Sequence, residues 1–202
     1  YFQDIYKPVD FIDITGGIRT DIHQVFGQST NPRCGVVLRP LDRMMMKLLY
    51  GTAFRSPDYR QSYVKTGDWT IGNEDLKQEH IETPEIELRY DFTKRIFSKI
   101  NLYKSRVTDM IVTQKVLGGK KYVNSETPID IQGFEYTIKF FYKMFDAYIN
   151  YSYNETKDHL TEKLLYGRPV NMANGGITYK VIENIRLNST LSYIGEIKRS
   201  DE

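Results

Sequence analysis

Cysteine occurs once, at Cys34, so no internal disulfide can form. In a predicted strand a lone thiol acts as a small apolar side chain. Long hydrophobic runs are missing too. No stretch of 18 apolar residues exists, and this excludes a membrane-crossing helix. Neither sign of charge is in excess. The 28 Lys and Arg stand against 26 Asp and Glu, a net +2, and no segment collects the basic face that a phosphate backbone requires. Nucleic acid is therefore excluded as a partner. Histidine is scarce, at His23, His80 and His159. With no His-x-x-x-His or Cys-x-x-Cys spacing, these leave no metal site and imply no cofactor. Gly-x-Ser-x-Gly is absent, so no nucleophile elbow is expected. Gly118-Gly119-Lys120-Lys121 lacks the phosphate-loop spacing and reads as the tip of a hairpin between 112–116 and 122–124. Glu85 and Glu87 share one strand face, with Arg89 and Lys99 as expected partners, and a charge ladder fits them better than glycoside chemistry. The chain is not expected to be an enzyme.

What the sequence does have is tyrosine and alternation. It holds 16 Tyr and 10 Phe against one Trp, which favours strands. Ile12, Ile14, Gly16, Ile18 and Thr20 fall on one face of a strand, and Asp13, Thr15, Gly17, Arg19 and Asp21 on the other. A row of Asp, Arg and Asp does not suit a dry core, because buried charges need partners. It suits a water-filled or plugged lumen. Ile86, Leu88, Tyr90 and Phe92 alternate with Glu85, Glu87, Arg89 and Asp91. Phe134 to Tyr142, Ala147 to Tyr153 and Leu187 to Tyr193 repeat the pattern. It weakens at Met44 to Arg55, where Met45, Lys47, Leu49 and Gly51 form a mixed row. The sum is about ten strands, several with 10 or more residues; a tilted bilayer span takes roughly 9–11, whereas globular strands average about 5–6. Gly16-Gly17 and Gly175-Gly176 are expected to relieve crowding or permit bending. No helix is expected beyond one turn over 160–166.

The connections are of two kinds. Lys7-Pro8-Val9-Asp10, Arg39-Pro40-Leu41-Asp42, Asp91-Phe92-Thr93-Lys94, Lys143-Met144-Phe145 and Glu183-Asn184 read as tight turns. The segments 25–32, 55–78, 110–128 and 158–169 read as long loops. Short turns on one rim and long loops on the other mark an up-and-down antiparallel transmembrane β-barrel.

Several stretches resemble the barrel of TonB-dependent outer-membrane receptors. Tyr1-Phe2-Gln3-Asp4 leads through a turn to Gly17-Ile18-Arg19, like the family's strand pair ending in Gln-Asp and resuming in Gly-Leu-Arg-Tyr. Asn31-Pro32-Arg33 is similar to its Ser-Pro-Arg element. Tyr50-Gly51-Thr52-Ala53-Phe54-Arg55-Ser56-Pro57 is similar to Tyr-Gly-x-Gly-Phe-Arg-Ala-Pro. Gly72-Asn73-Glu74-Asp75-Leu76-Lys77-Gln78-Glu79 is similar to Gly-Asn-Pro-Asp-Leu-Lys-Pro-Glu. Gln132-Gly133-Phe134-Glu135 and Tyr193-Ile194-Gly195-Glu196 match later elements in the expected order. Ala53, Glu74, Gln78 and Thr20 depart from the pattern and bear on subfamily.

The resemblance implies an all-β fold, with residues 1–202 forming one part of a barrel of about 22 strands around a plug domain. The plug and the remaining strands are absent. The chain opens inside a strand-like stretch and is expected to be a piece of a longer protein. The implied function is active transport across the outer membrane of a Gram-negative bacterium. The expected cargo is a bulky scarce nutrient, such as a ferric siderophore or haem. The implied partners are outer-membrane lipid, that cargo, and TonB through the missing N-terminal part. Within the outer loops, Arg55, Tyr59, Arg60, Tyr63 and Trp69 form the candidate ligand set, since Arg and aromatics dominate recognition surfaces and suit an anionic chelate. His159 and Tyr166 are further loop candidates. Two alternatives remain open: a structural or secretion barrel, and a soluble β-rich binding module whose apolar rows a second sheet would have to cover.

Overall fold

The computed structural model describes residues 1–66, 70–117, 119–165 and 167–197. Its strands are β1 Phe2–Val9, β2 Ile12–His23, β3 Gly27–Leu41, β4 Met44–Arg55, β5 Lys65–Thr66, β6 Thr70–Ile71 and β7 Glu79–Thr93. They continue as β8 Ile96–Thr108, β9 Ile111–Val116, β10 Gly119–Asn124, β11 Ile129–Tyr142, β12 Phe145–Asp158, β13 Asn171–Ile182 and β14 Ile185–Ile194. A single short helix, α1 Tyr59–Tyr63, is present among the described residues. Ten strands form one antiparallel sheet in the order β1-β2-β3-β4-β7-β8-β11-β12-β13-β14. The order follows the chain, so each strand pairs with its neighbours in an up-and-down path. The other four strands form a smaller sheet, β5-β6-β10-β9, drawn from two loops.

All five expected connections are two-residue turns: Lys143-Met144 and Glu183-Asn184 lie within the expected stretches, whereas Asp10-Phe11, Asp42-Arg43 and Lys94-Arg95 begin at the last expected residue and reach one beyond it, leaving Lys7–Val9, Arg39–Leu41 and Asp91–Thr93 in strands. Register shifts sit beside four of them, between Tyr6 and Val9, Leu38 and Leu41, Asp91 and Thr93, and Lys180 and Ile182. Bulges of this kind raise the local twist at the rim of a sheet.

Two loop expectations need correction. Residues 25–32 are not a long loop, because β3 begins at Gly27 and pairs Gln28, Ser29, Thr30 and Asn31 with Ile22, Asp21, Thr20 and Arg19. Polar side chains resembled loop composition there, but both neighbours supply backbone partners. The His23 ring closes the remaining turn, accepting from the Val25 N–H at 3.1 Å and stacking on Phe26. The described part of the expected helical turn, residues 160–165, is not helical either. A turn at 159–161 is followed by Glu162 at φ 54°, and Leu164 bridges back to Lys157.

The sheet carries no apolar core of its own. Among the described residues the buried hydrophobic ones are Leu76, Ile111 and Ile129, all at the loop-side end. By contrast Ile86 and Leu102 are each 46% exposed, Ile149 59% and Ile177 53%. These belong to the apolar rows, so one face of the sheet carries a broad band that is hydrophobic and bare. The opposite face is sheltered and polar. There Glu87 bridges Lys47 at 2.8 Å and Lys99 at 3.2 Å, and Asp13 pairs with Arg39 at 2.7 Å.

Candidate functional site

The long connections collect at one end of the sheet and build a structured mouth. The loop after β4 opens with α1. Asp58 caps it: its carboxylate accepts from the Gln61 N–H at 2.7 Å, and the Gln61 side-chain oxygen accepts from the Asp58 N–H at 3.0 Å. This reciprocal pair satisfies two orphan donors of the helix start. The cap sets Tyr59 and Tyr63 one turn apart with ring centroids 5.2 Å from each other. Tyr59 is 76% exposed, and Arg60, between them, makes no ion pair among the described residues. Ser62 faces inward and is buried, against Gly72, where an added Cβ would lie 2.8 Å from the Ser62 carbonyl oxygen.

The loop after β8 folds as the expected hairpin, β9 against β10. It does not stand alone, because β6 pairs in parallel with β10 at Thr70–Lys120 and Ile71–Lys121. Side-chain amides fasten the two loops further. The Asn73 amide donates to the Tyr122 carbonyl at 3.0 Å. Asn124 accepts from the Lys77 N–H at 2.8 Å and donates to the carbonyls of Lys77 and Asp109 at 3.1 and 2.7 Å. The Gly72–Glu79 stretch therefore acts as the clasp between loops, with Leu76 buried beneath it.

Arg55 lies at the base of this assembly. Its guanidinium donates in bidentate fashion to Glu79 at 2.5 and 2.7 Å, and Glu79 also accepts from the Ile111 N–H at 2.7 Å. Arg55 thereby joins β4, β7 and the hairpin. His159 sits apart from α1. Its Nδ1 is 2.6 Å from Asp130 and 3.4 Å from Arg106, and its N–H donates to the Pro128 carbonyl. Of the sequence candidates, then, Tyr59, Arg60 and Tyr63 come together on α1, Arg55 is an ion-pair anchor, and His159 joins a separate cluster. Trp69 and Tyr166 lie outside the described residues.

A cavity of about 650 Å3 opens on the polar face near the mouth, lined by Tyr1, Arg19, Asp21, Asn31, Arg33, Thr52, Ala53 and Phe54. Arg19 is held by Asp21 of its own strand at 2.7 Å. Arg33 contacts the Tyr1 hydroxyl and the Gln3 amide oxygen, and its guanidinium lies 5.0 Å from the Tyr1 ring centre. Two cations and an aromatic converge in a space large enough for a chelate. Neither arginine was among the loop candidates, yet strand alternation had already put Arg19 on the polar face. No group of three metal-ligating side chains occurs among the described residues.

A family model for the TonB dependent receptor-like β-barrel matches residues 1–202. Among solved structures, the chain is similar to the siderophore receptor PirA of Acinetobacter baumannii, at 18% identity and a TM-score of 0.81, covering 94% of this chain and 32% of that one. It is similar to a mutant ferric enterobactin receptor, PfeA, of Pseudomonas aeruginosa, at 16% identity and a TM-score of 0.82, covering 97% and 32%. It is also similar to the copper transporter OprC, at 15% identity and a TM-score of 0.75, covering 95% and 33%. The chain thus spans about a third of the length of these structures, and the likeness is one of fold.

Proposed function

This chain belongs to the TonB-dependent receptor-like β-barrel family, and we propose that it forms wall and mouth of an outer-membrane receptor that imports a bulky scarce nutrient. The plug and the other strands lie elsewhere in the parent protein on this reading, and TonB energises release of the cargo. The observation that carries the proposal is the bare hydrophobic face. Ile86, Leu102, Ile149 and Ile177 stay about half exposed, while the few buried apolar residues among those described lie at the loop-side end. A sheet with that surface needs lipid around it. A soluble module would need a second layer over these rows, and no described residue supplies one.

The cargo reading is an anionic chelate, such as a ferric siderophore. It rests on the cavity around Arg19, Arg33 and Tyr1 and on the exposed Tyr59, Arg60 and Tyr63 of α1. Neighbours that differ in cargo, a siderophore receptor and a copper transporter among them, leave the choice to these local residues. The test uses the full-length parent. Membrane fractionation places it in the outer membrane, and uptake of a ferric siderophore stops when the inner-membrane proton gradient is collapsed. Arg33→Glu is expected to weaken cargo binding by at least tenfold, the scale of a lost charged contact at a recognition site, with insertion unchanged. Recovery in the soluble fraction sinks the receptor reading, whereas unaltered binding by Arg33→Glu sinks only the anionic cargo.

A further inference from the structure

The bare face of the sheet is not apolar over its full height. Leu48, Ile86, Leu102, Phe134 and Tyr153 form one registered row across β4, β7, β8, β11 and β12. The next rows toward the loops change character at once. Lys104, Gln132 and Glu155 are in register, and beyond them Glu82, Arg106, Asp130 and Lys157 pair directly in alternating charge. Residues two apart on a strand share a face, so these side chains point the same way as the apolar rows, away from the polar face and its cavity. Cargo and plug cannot reach them. The patch is also local. In register with these two rows, β2, β3 and β4 offer Gly16 and Ile18, Cys34 and Pro32, and Tyr50 and Thr52, none of them charged.

The patch is built and braced. Asp130 holds Arg106 at 3.0 Å and His159 at 2.6 Å. Glu155 takes Lys157 at 2.9 Å and the Gln132 amide at 2.9 Å. Glu82 accepts from the Tyr50 hydroxyl at 3.2 Å. Lys104 has no ion pair among the described residues. Lys104, Arg106, Asp130, Gln132, Glu155, Lys157 and His159, with the carboxylates of Asp158 and Glu162, line a notch of about 290 Å3. Its carboxylates fix the direction of Arg106 and Lys157 without using all their donors, since a guanidinium has five N–H groups and an ammonium three.

We infer that this wall patch binds the phosphorylated headgroup of a membrane lipid, with Lys104, Arg106 and Lys157 on the phosphate. The inference rests on the receptor reading, because only a sheet that faces lipid puts these cations at headgroup level. The occupant is a lipid rather than a soluble anion because the notch continues directly into the apolar row Leu102, Phe134 and Tyr153, where acyl chains would run. Juxtamembrane lysines and arginines attract anionic headgroups in this way.

The test reconstitutes the full-length protein in phosphatidylcholine vesicles carrying spin-labelled phosphatidic acid or spin-labelled phosphatidylcholine. The label immobilised at the protein surface gives their relative affinity. The native protein is expected to favour phosphatidic acid, and Lys104→Gln with Lys157→Gln to lower that preference roughly fivefold per lysine. Lys120→Gln with Lys121→Gln on the β9–β10 hairpin removes the same charge elsewhere and is expected to leave it unchanged. Equal loss in both pairs, or no preference in the native protein, overturns the inference. So does abolition of the preference by inorganic phosphate at matched ionic strength, which would assign the notch to the free anion. Failure of the native protein to insert into vesicles overturns the receptor reading itself.

Discussion

Inward-facing tyrosines on this sheet lie on glycines of the next strand. Tyr148 is in register with Gly176, where an added Cβ would stand 2.6 Å from the ring. Tyr103 is in register with Gly133 and its hydroxyl would be 2.7 Å from such a Cβ. The ring fills the space the missing side chain leaves and pins register between strands. Gly176→Val forces Tyr148 off its strand neighbour and is expected to destabilise the full-length barrel by about 1–3 kcal/mol. Gly16→Ala, at a position with nothing within 4 Å, is expected to change it by less than about 0.5 kcal/mol. Urea unfolding of both variants decides the matter, and equal losses would remove the crowding argument. Asp158 offers a second single-residue test, at the loop-side end of β12 beyond the charged rows. The Thr127 hydroxyl first, then the Thr161 N–H and hydroxyl and the Leu160 N–H, lower its carboxyl pKa to about 2. A folded value below the ordinary one means that the turn at 159–161 is stabilised above the unfolded pKa of about 4. That support is lost as pH falls through about 2. Exchange of the Leu160 and Thr161 amides is expected to quicken over that acid window, and Asp158→Asn is expected to weaken the pH dependence. Unchanged acid dependence in Asp158→Asn would show that another group governs the turn.

At the scale of elements, the strands were legible and the mouth was only partly so. Period-2 rows such as Ile86 to Phe92 specify a strand and its two faces together, and each two-residue turn had polar or Gly-free but short sequence between two such rows. The register of β11 with β12, from Ile129–Asp158 to Tyr142–Phe145, follows from that turn alone. α1 is too short for periodicity to show, and its signal was the spacing of Asp58 and Gln61, a capping box read as plain loop. The parallel pairing of β6 with β10 has no local signature at all, because Thr70 and Lys120 meet only when two distant loops close over one another. Arg55 was legible as important but not as an anchor, since Glu79 lies 24 residues away. The joint sheet predicts joint behaviour. Asn124→Ala removes one acceptor and two donor contacts at the clasp, at an expected local loss of roughly 1–3 kcal/mol. Limited proteolysis is expected to open segments 72–78 and 111–124 at the same rate. Cleavage confined to one loop would show that the two do not form one body.

At the scale of the whole molecule the decisive quantity is where hydrophobic surface goes. The apolar rows on β12 run from Phe145 to Tyr153, eight residue steps, or roughly 20 Å of vertical height at the usual strand tilt. That approaches the band of about 25 Å that a membrane barrel presents to lipid. The same rows explain why the described residues have so few buried apolar side chains: lipid, not a second layer, is their proper environment. Ile149 lies midway along the row and is 59% exposed. Ser152, three residues on, points to the polar face, in register with Glu135 and Met172. A lysine at the bilayer midplane of a barrel costs about 2–4 kcal/mol, whereas lumen positions tolerate charge. Ile149→Lys is therefore expected to lower folding stability of the full-length protein in vesicles by that amount, and Ser152→Lys by less than about 1 kcal/mol. The two substitutions bring the same charge to the same strand, so only the direction of the side chain separates them. Equal losses would mean that Ile149 does not meet hydrocarbon, and the assignment of the apolar face to the membrane would fall with it.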